Sequence, residues 1–169
     1  MEARVSAAEI FGVKMIQQLL SNIKAKILEL PDIESSFIYP TPRCDLAAPS
    51  VCLEVAGFSS GTDPATGELA LNINLEARII MDSTIENAEI SCQTLACNIA
   101  NLVHLNTFNC AVSPGEVTGI SRDSFKPEFD AFVCWMIEWS HQFHIGNSVW
   151  LESGATPHLL HINRDLIDG

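Results

Sequence analysis

The chain has 169 residues, 47% of them hydrophobic and 18% charged, with a net charge of −12 and a pI near 4.6. That length and apolar content exclude a disordered tail and suit one domain with its own core. The acidic balance excludes a protein that works by neutralising phosphates. No stretch reaches 18 uninterrupted apolar residues, so no membrane span is expected. Met1–Ser6 lacks the basic and apolar regions of a signal peptide, and a cytoplasmic site of synthesis is expected. The charged fraction lies below the usual ~25%, which a large core or buried intersubunit area would explain.

The first predicted element is a helix from Ala7 to Leu30. Val13, Ile16, Leu19, Leu20, Ile23, Ile27 and Leu30 recur at helical spacing, and Pro31 stops it. Lys24 and Lys26 fall in its second half, where a helix dipole favours cations. Ser35–Tyr39 reads as a short strand, followed by the turning path of Pro40-Thr41-Pro42 and a loop to Ser50. Val51–Phe58 is a second strand. Residues 59–67 are rich in Ser, Gly, Asp and Pro and read as a turn-rich loop; Phe58–Gly67 is expected to be exposed and to contact a neighbouring subunit or another component of an assembly.

Leu69, Leu71, Ile73, Leu75, Ala77 and Ile79 alternate with Ala70, Asn72, Asn74, Glu76 and Arg78. Period-2 alternation marks a half-buried strand, here the second arm of an antiparallel hairpin. Asp82-Ser83-Thr84 reads as an N-cap, with Glu86 and Glu89 in the first turn of a helix running to about His104. Ala88, Cys92, Leu95, Ile99 and Leu102 form its inner stripe. Val117–Ser121 is a short strand.

A long strand then runs from Phe129 to Gly146. Its odd face holds Ala131, Val133, Trp135, Ile137, Trp139, His141, Phe143 and Ile145. At about 16 residues it would reach about 50 Å, longer than one domain core needs. Part of it is therefore expected to meet another chain. Residues 146–169 read as an extended C-terminal segment with a strand at His158–Ile162. The order α-β-β-β-α-β-β gives a single α+β domain over 1–169: a mostly antiparallel sheet with two helices on one face.

Reactive side chains give no constellation. Cys44, Cys52, Cys92, Cys97, Cys110 and Cys134 include no C-x-x-C pair, and buried reduced thiols are expected. His141 and His144 lie three apart on a strand and so point to opposite faces, as do His158 and His161. No metal, cofactor or catalytic residue is assigned. Trp135 and Trp139 share one face, either as core or as interface anchors.

The segment Trp139-Ser140-His141-Gln142-Phe143-His144-Ile145-Gly146-Asn147-Ser148-Val149-Trp150, followed by Gly154-Ala155-Thr156-Pro157, resembles the C-terminal region of tail terminator-like proteins of contractile-tailed phages and phage-tail-like bacteriocins. The opening helix, the Tyr39-Pro40-Thr41-Pro42 loop and the later elements occur in a similar order. The resemblance implies a ring-forming subunit, a homo-hexamer. Such a ring caps the head-proximal end of the tail tube, ends tube and sheath growth, and joins the tail to the connector. It also implies tail tube, sheath and head-side connector proteins as partners and a place in the neck of the particle. Genomic DNA would pass its lumen without specific binding, which the acidic charge suits. Phe58, Asp63, Trp135, Trp139, Phe143 and Trp150 are the expected assembly-interface residues. A connector or baseplate tube-initiator subunit, and a small cytoplasmic enzyme with a Cys/His site, are the competing readings.

Overall fold

A computed structural model of the chain describes residues 7–39, 48–123 and 132–149, with side chains from Lys14 onward. Helix α1 (Ala7–Ile27) is followed by strands β1 (Ser35–Ile38), β2 (Ser50–Ser60) and β3 (Leu69–Asp82), helix α2 (Ala88–Val103), and strands β4 (Glu116–Arg122) and β5 (Phe132–Ile145). The five strands form one sheet in the order β1-β2-β3-β5-β4. Only β1 and β2 run parallel; the other three pairings are antiparallel. The α+β architecture expected from the alternation is the one observed.

The sheet is built around β3 and β5, which pair in unbroken register from Leu69↔Ile145 to Asp82↔Phe132. Their odd residues face the helices. Ile73, Leu75, Ala77, Ile79 and Met81 of β3 and Val133, Ile137, Trp139, His141 and Phe143 of β5 are all buried there. Both helices complete that layer, through Leu19, Ile23 and Ile27 of α1 and Cys92, Leu95, Ile99 and Val103 of α2. Even residues point the other way and are mostly polar, from Asn72 to Arg78 and from Glu138 to His144. Each buried aliphatic side chain on the helix face contributes about 1.5–3 kcal/mol relative to exposure.

Several boundaries differ from the sequence expectation. The α1 helix ends at Ile27, and Leu28–Leu30 continue as tightened turns through Glu29 N–H to Lys26 O and Leu30 N–H to Ile27 O. Asp82 does not cap a helix. It is the last residue of β3, opposite Phe132, and its Oδ1 accepts from Thr84 N–H at 2.8 Å to fix a turn. Ile80 and Met81 are both buried, which carries the strand past the apparent cap. Helix α2 begins six residues later, after Asn87 in the left-handed region (φ 60°), with no side-chain cap. Glu86 therefore precedes the helix, while Glu89 stays in its first turn.

The long strand is described from Phe132. Phe129–Ala131, the Pro40-Thr41-Pro42 loop, Cys44, Trp150, the Gly154–Pro157 turn and the His158–Ile162 strand lie outside the described residues. Cys52, Cys92 and Cys134 are buried as expected. Cys97 is exposed on α2 and Cys110 is half-buried, so uniform burial of the thiols does not hold.

Candidate assembly surface

The ladder β2-β3-β5 runs past the helix layer at one end. A bulge between Val55 and Gly57 shifts β2 by one residue and turns Phe58 onto the helix-side face, opposite Ile73. Phe58 packs edge-on against Phe143 (centroids 6.3 Å, interplanar angle 71°) yet stays 52% exposed. Leu69, opposite Ile145 at the end of the ladder, is 58% exposed. Leu71 and Ile145 are half-buried between them. Two large apolar side chains are thus presented to solvent at the tip of an otherwise well-packed sheet.

The loop 61–68 that closes this tip is held rather than loose. Gln142 reaches across from β5, its Oε1 accepting from Thr62 N–H at 2.9 Å while its Nε2 donates to Thr62 O at 3.2 Å. Gly61 N–H donates to Ala70 O at 3.0 Å, and Asn72 Nδ2 donates to Ser60 O at 3.1 Å. Asp63 is exposed, with Oδ1 accepting from Ala65 N–H at 2.8 Å in a local Asx turn. Val149 N–H donates to Thr66 O at 2.8 Å, which ties the chain after β5 to the same loop.

Of the expected interface residues, the fold brings Phe58, Asp63 and Phe143 to this end. Phe58 and Asp63 have free surface there, while Phe143 is only 3% exposed. Trp139 is 1% exposed and belongs to the core. Trp135 is half-buried, and its Nε1–H donates to Glu89 Oε1 at 3.0 Å, tying β5 to the start of α2. In sequence Leu69 is one more member of an alternating face; its position at the end of the strand leaves it uncovered.

Trp139 Nε1–H donates to Nε2 of His141 at 3.2 Å, and His141 Nδ1 lies 2.8 Å from Ser113 O. These partners fix one neutral tautomer: Nδ1 carries the proton and Nε2 accepts. Burial is the main influence on the imidazole and pushes its pKa down, against a smaller upward pull from the Ser113 carbonyl. The ring also meets Phe108 edge-on at 6.0 Å. Ser113 bonds back to Gln142 through backbone and hydroxyl, so the 104–115 connection is pinned to β5. Gly115 is required there, because a Cβ would lie 2.2 Å from Val103 O. His144, on the opposite face, is exposed, as the strand geometry predicts.

On the other sheet face Arg78 is surrounded by carboxylates. It pairs with Glu54 at 2.6 Å, Asp123 at 3.0 Å and Glu76. Burial opposes its charge, but Glu76, Asp123 and Glu54 outweigh that and raise its pKa. Glu54, Glu76 and Glu138 stand opposite one another in register, an arrangement of like charges that needs the guanidinium. Cys92, buried against Ile79 O and Val133 O, has its thiol pushed up to about 12 by burial first and by Cys134 second. At neutral pH it is a protonated packing group, unsuited to nucleophilic attack. Among the described residues no group of three or more His, Cys, Asp or Glu side chains converges to hold a metal. Among the same residues no helix is long and apolar enough to cross a membrane.

No family model and no curated protein matches the chain. Among solved structures, a chain from a "Virion of native gene transfer agent (GTA) particle" is similar at 14% identity and a TM-score of 0.45. The match covers 78% of this chain and 92% of that one.

Proposed function

We propose that the protein is a structural subunit of a phage-type tail. In this reading it forms a hexameric ring that caps the head-proximal end of the tail tube, ends tube and sheath growth and joins the tail to the connector. The observation that carries the reading is the tip of the β2-β3-β5 ladder, where Phe58 and Leu69 are exposed on the strand ends flanking a loop braced by Gln142. Exposed apolar side chains on a rigid platform are the usual anchors of subunit contacts. The C-terminal resemblance supports the tail assignment, and the net charge of −12 suits a lumen through which DNA passes without sticking. Phe58 and Asp63, with Leu69, are the proposed contact residues.

The test is gold labelling of a tagged chain in particles purified from its source, viewed by electron microscopy. Label at the head-proximal tip is the expected result. Label at the far tip would move the protein to the baseplate, and tail particles lacking label would overturn the structural role.

A further inference from the structure

A second surface, away from the sheet tip, has its own chemistry. An open cleft of about 410 Å³ runs between the outer side of α2 and the segments that precede β1 and β2. Ile90 and Leu95 line one wall, Asp32 and Pro49 the other, with Met81 and Ile85 at one end. Met81 and Leu95 are almost fully buried, whereas Ile90 is 63% and Ile85 43% exposed. The α2 wall is one helical stripe, residues 90, 91, 94, 95 and 98, which spans about 12 Å at 1.5 Å per residue. That length matches about two turns of a partner helix.

Among the described residues, acids outnumber bases around the cleft. Segments 28–39 and 79–105, which supply most of its walls, contain no lysine or arginine. They carry Glu29, Asp32, Glu34, Asp82, Glu86 and Glu89. Glu29 is paired with Lys26, and Glu89 is engaged by Trp135 and Arg122. Asp82 is held low by its bonds from Thr84 and so stays ionised at neutral pH. The face of α2 beside the cleft is uncharged, offering Thr94, Cys97, Asn98 and Asn101. Depletion of charge in the centre with charge at the margin is the anatomy of a protein–protein contact. The lining sets the apolar Pro49, Met81, Ile85, Ile90 and Leu95 beside the polar Asp32, Ser91, Thr94 and Asn98.

We propose that this cleft docks a cationic amphipathic helix of another protein. Its aliphatic side chains would enter beside Ile90 over Met81 and Leu95. Its lysines or arginines would face Asp32 on one side and the Asp82–Glu86 turn on the other. The recognition mode is helix-in-groove, read by anchors at i, i+3 and i+4. It does not depend on the tail assignment.

The test uses the full chain and a fluorescein-labelled helical peptide with leucine on one face and lysine on the other, read by fluorescence anisotropy. Two control peptides replace leucine by alanine or lysine by glutamate. The leucine–lysine peptide is expected to bind, both controls to bind at least about tenfold more weakly, and Ile90→Ser to weaken the first by about tenfold. Ile90 is exposed, so this variant keeps its melting temperature; Ile120→Ser, on β4, leaves binding unchanged. Equal binding by the alanine–lysine peptide would reduce the effect to bulk charge and overturn the proposal. Undiminished binding to Ile90→Ser, or no binding, would also overturn it. Sedimentation that shows self-association lost in Ile90→Ser would assign the cleft to a second copy of the chain instead.

Discussion

Replacing Trp139 by Phe tests the central polar contact of the core. The indole is 1% exposed, and its N–H satisfies the buried Nε2 of His141. Phe keeps an aromatic ring but removes that donor and leaves a void. An unpaired buried acceptor costs about 1–3 kcal/mol. The void adds about 1 kcal/mol, a fraction of the 3–5 kcal/mol lost when such a ring is cut to Ala. The expected destabilisation is about 2–4 kcal/mol, or a fall of about 4–16 °C in melting temperature for a chain of this size. Urea unfolding followed by far-UV circular dichroism measures it. His141→Phe alone strands the Trp139 N–H and the Ser113 carbonyl, whereas the double variant strands only the carbonyl. The double variant should therefore cost about 2–6 kcal/mol less than the sum of the singles, one stranded-group penalty for each of the two ends of the Trp139–His141 bond. Strict additivity, or a Trp139→Phe cost under about 1 kcal/mol, would refute the assigned bond.

Three further outcomes follow from described geometry. His141 is held below its ordinary value of 6.5, so the native state binds fewer protons than the unfolded state at mildly acidic pH. Its contribution is complete above about pH 6.5 and is lost as pH falls towards the native pKa; a series of urea melts should show this slope, reduced in His141→Gln. Gly115→Ala should destabilise by about 1–3 kcal/mol, since its Cβ meets Val103 O; an unchanged urea midpoint would contradict the close approach. Iodoacetamide at neutral pH should label exposed Cys97 in the native protein and leave Cys92 untouched, and peptide mass spectrometry would detect the reverse.

The alternation from Leu69 to Ile79 and from Val133 to Phe143 was enough to place both central strands and their buried faces. The stripe Ile16–Ile27 likewise placed α1. The sequence puts the start of α2 too early because Asp82-Ser83-Thr84 has the composition of a cap. Tertiary pairing with Phe132 and burial of Ile80 and Met81 decided that local choice instead. The bulge at Ala56 left no mark in the pattern, yet it decides which face Phe58 takes. The His141 pairing was equally hidden, since a histidine within an apolar face announces burial and not its partners. The cleft beside α2 depends on segments far apart in sequence, and its nearest written trace is the lack of lysine and arginine over residues 79–105.

The strand order has a consequence for how the molecule is made. Among the described strands β5 is the last to leave the ribosome, yet it lies between β3 and β4, inside the sheet. Until residue 145 has emerged, β3 has a bare edge and β4 has no partner at all, while α2 has nothing to rest on at the β5 side. The nascent chain must therefore wait, with an open hydrogen-bonding edge, for β5 to slot in from within. Prematurely terminated chains would carry that open edge permanently and would pair with one another.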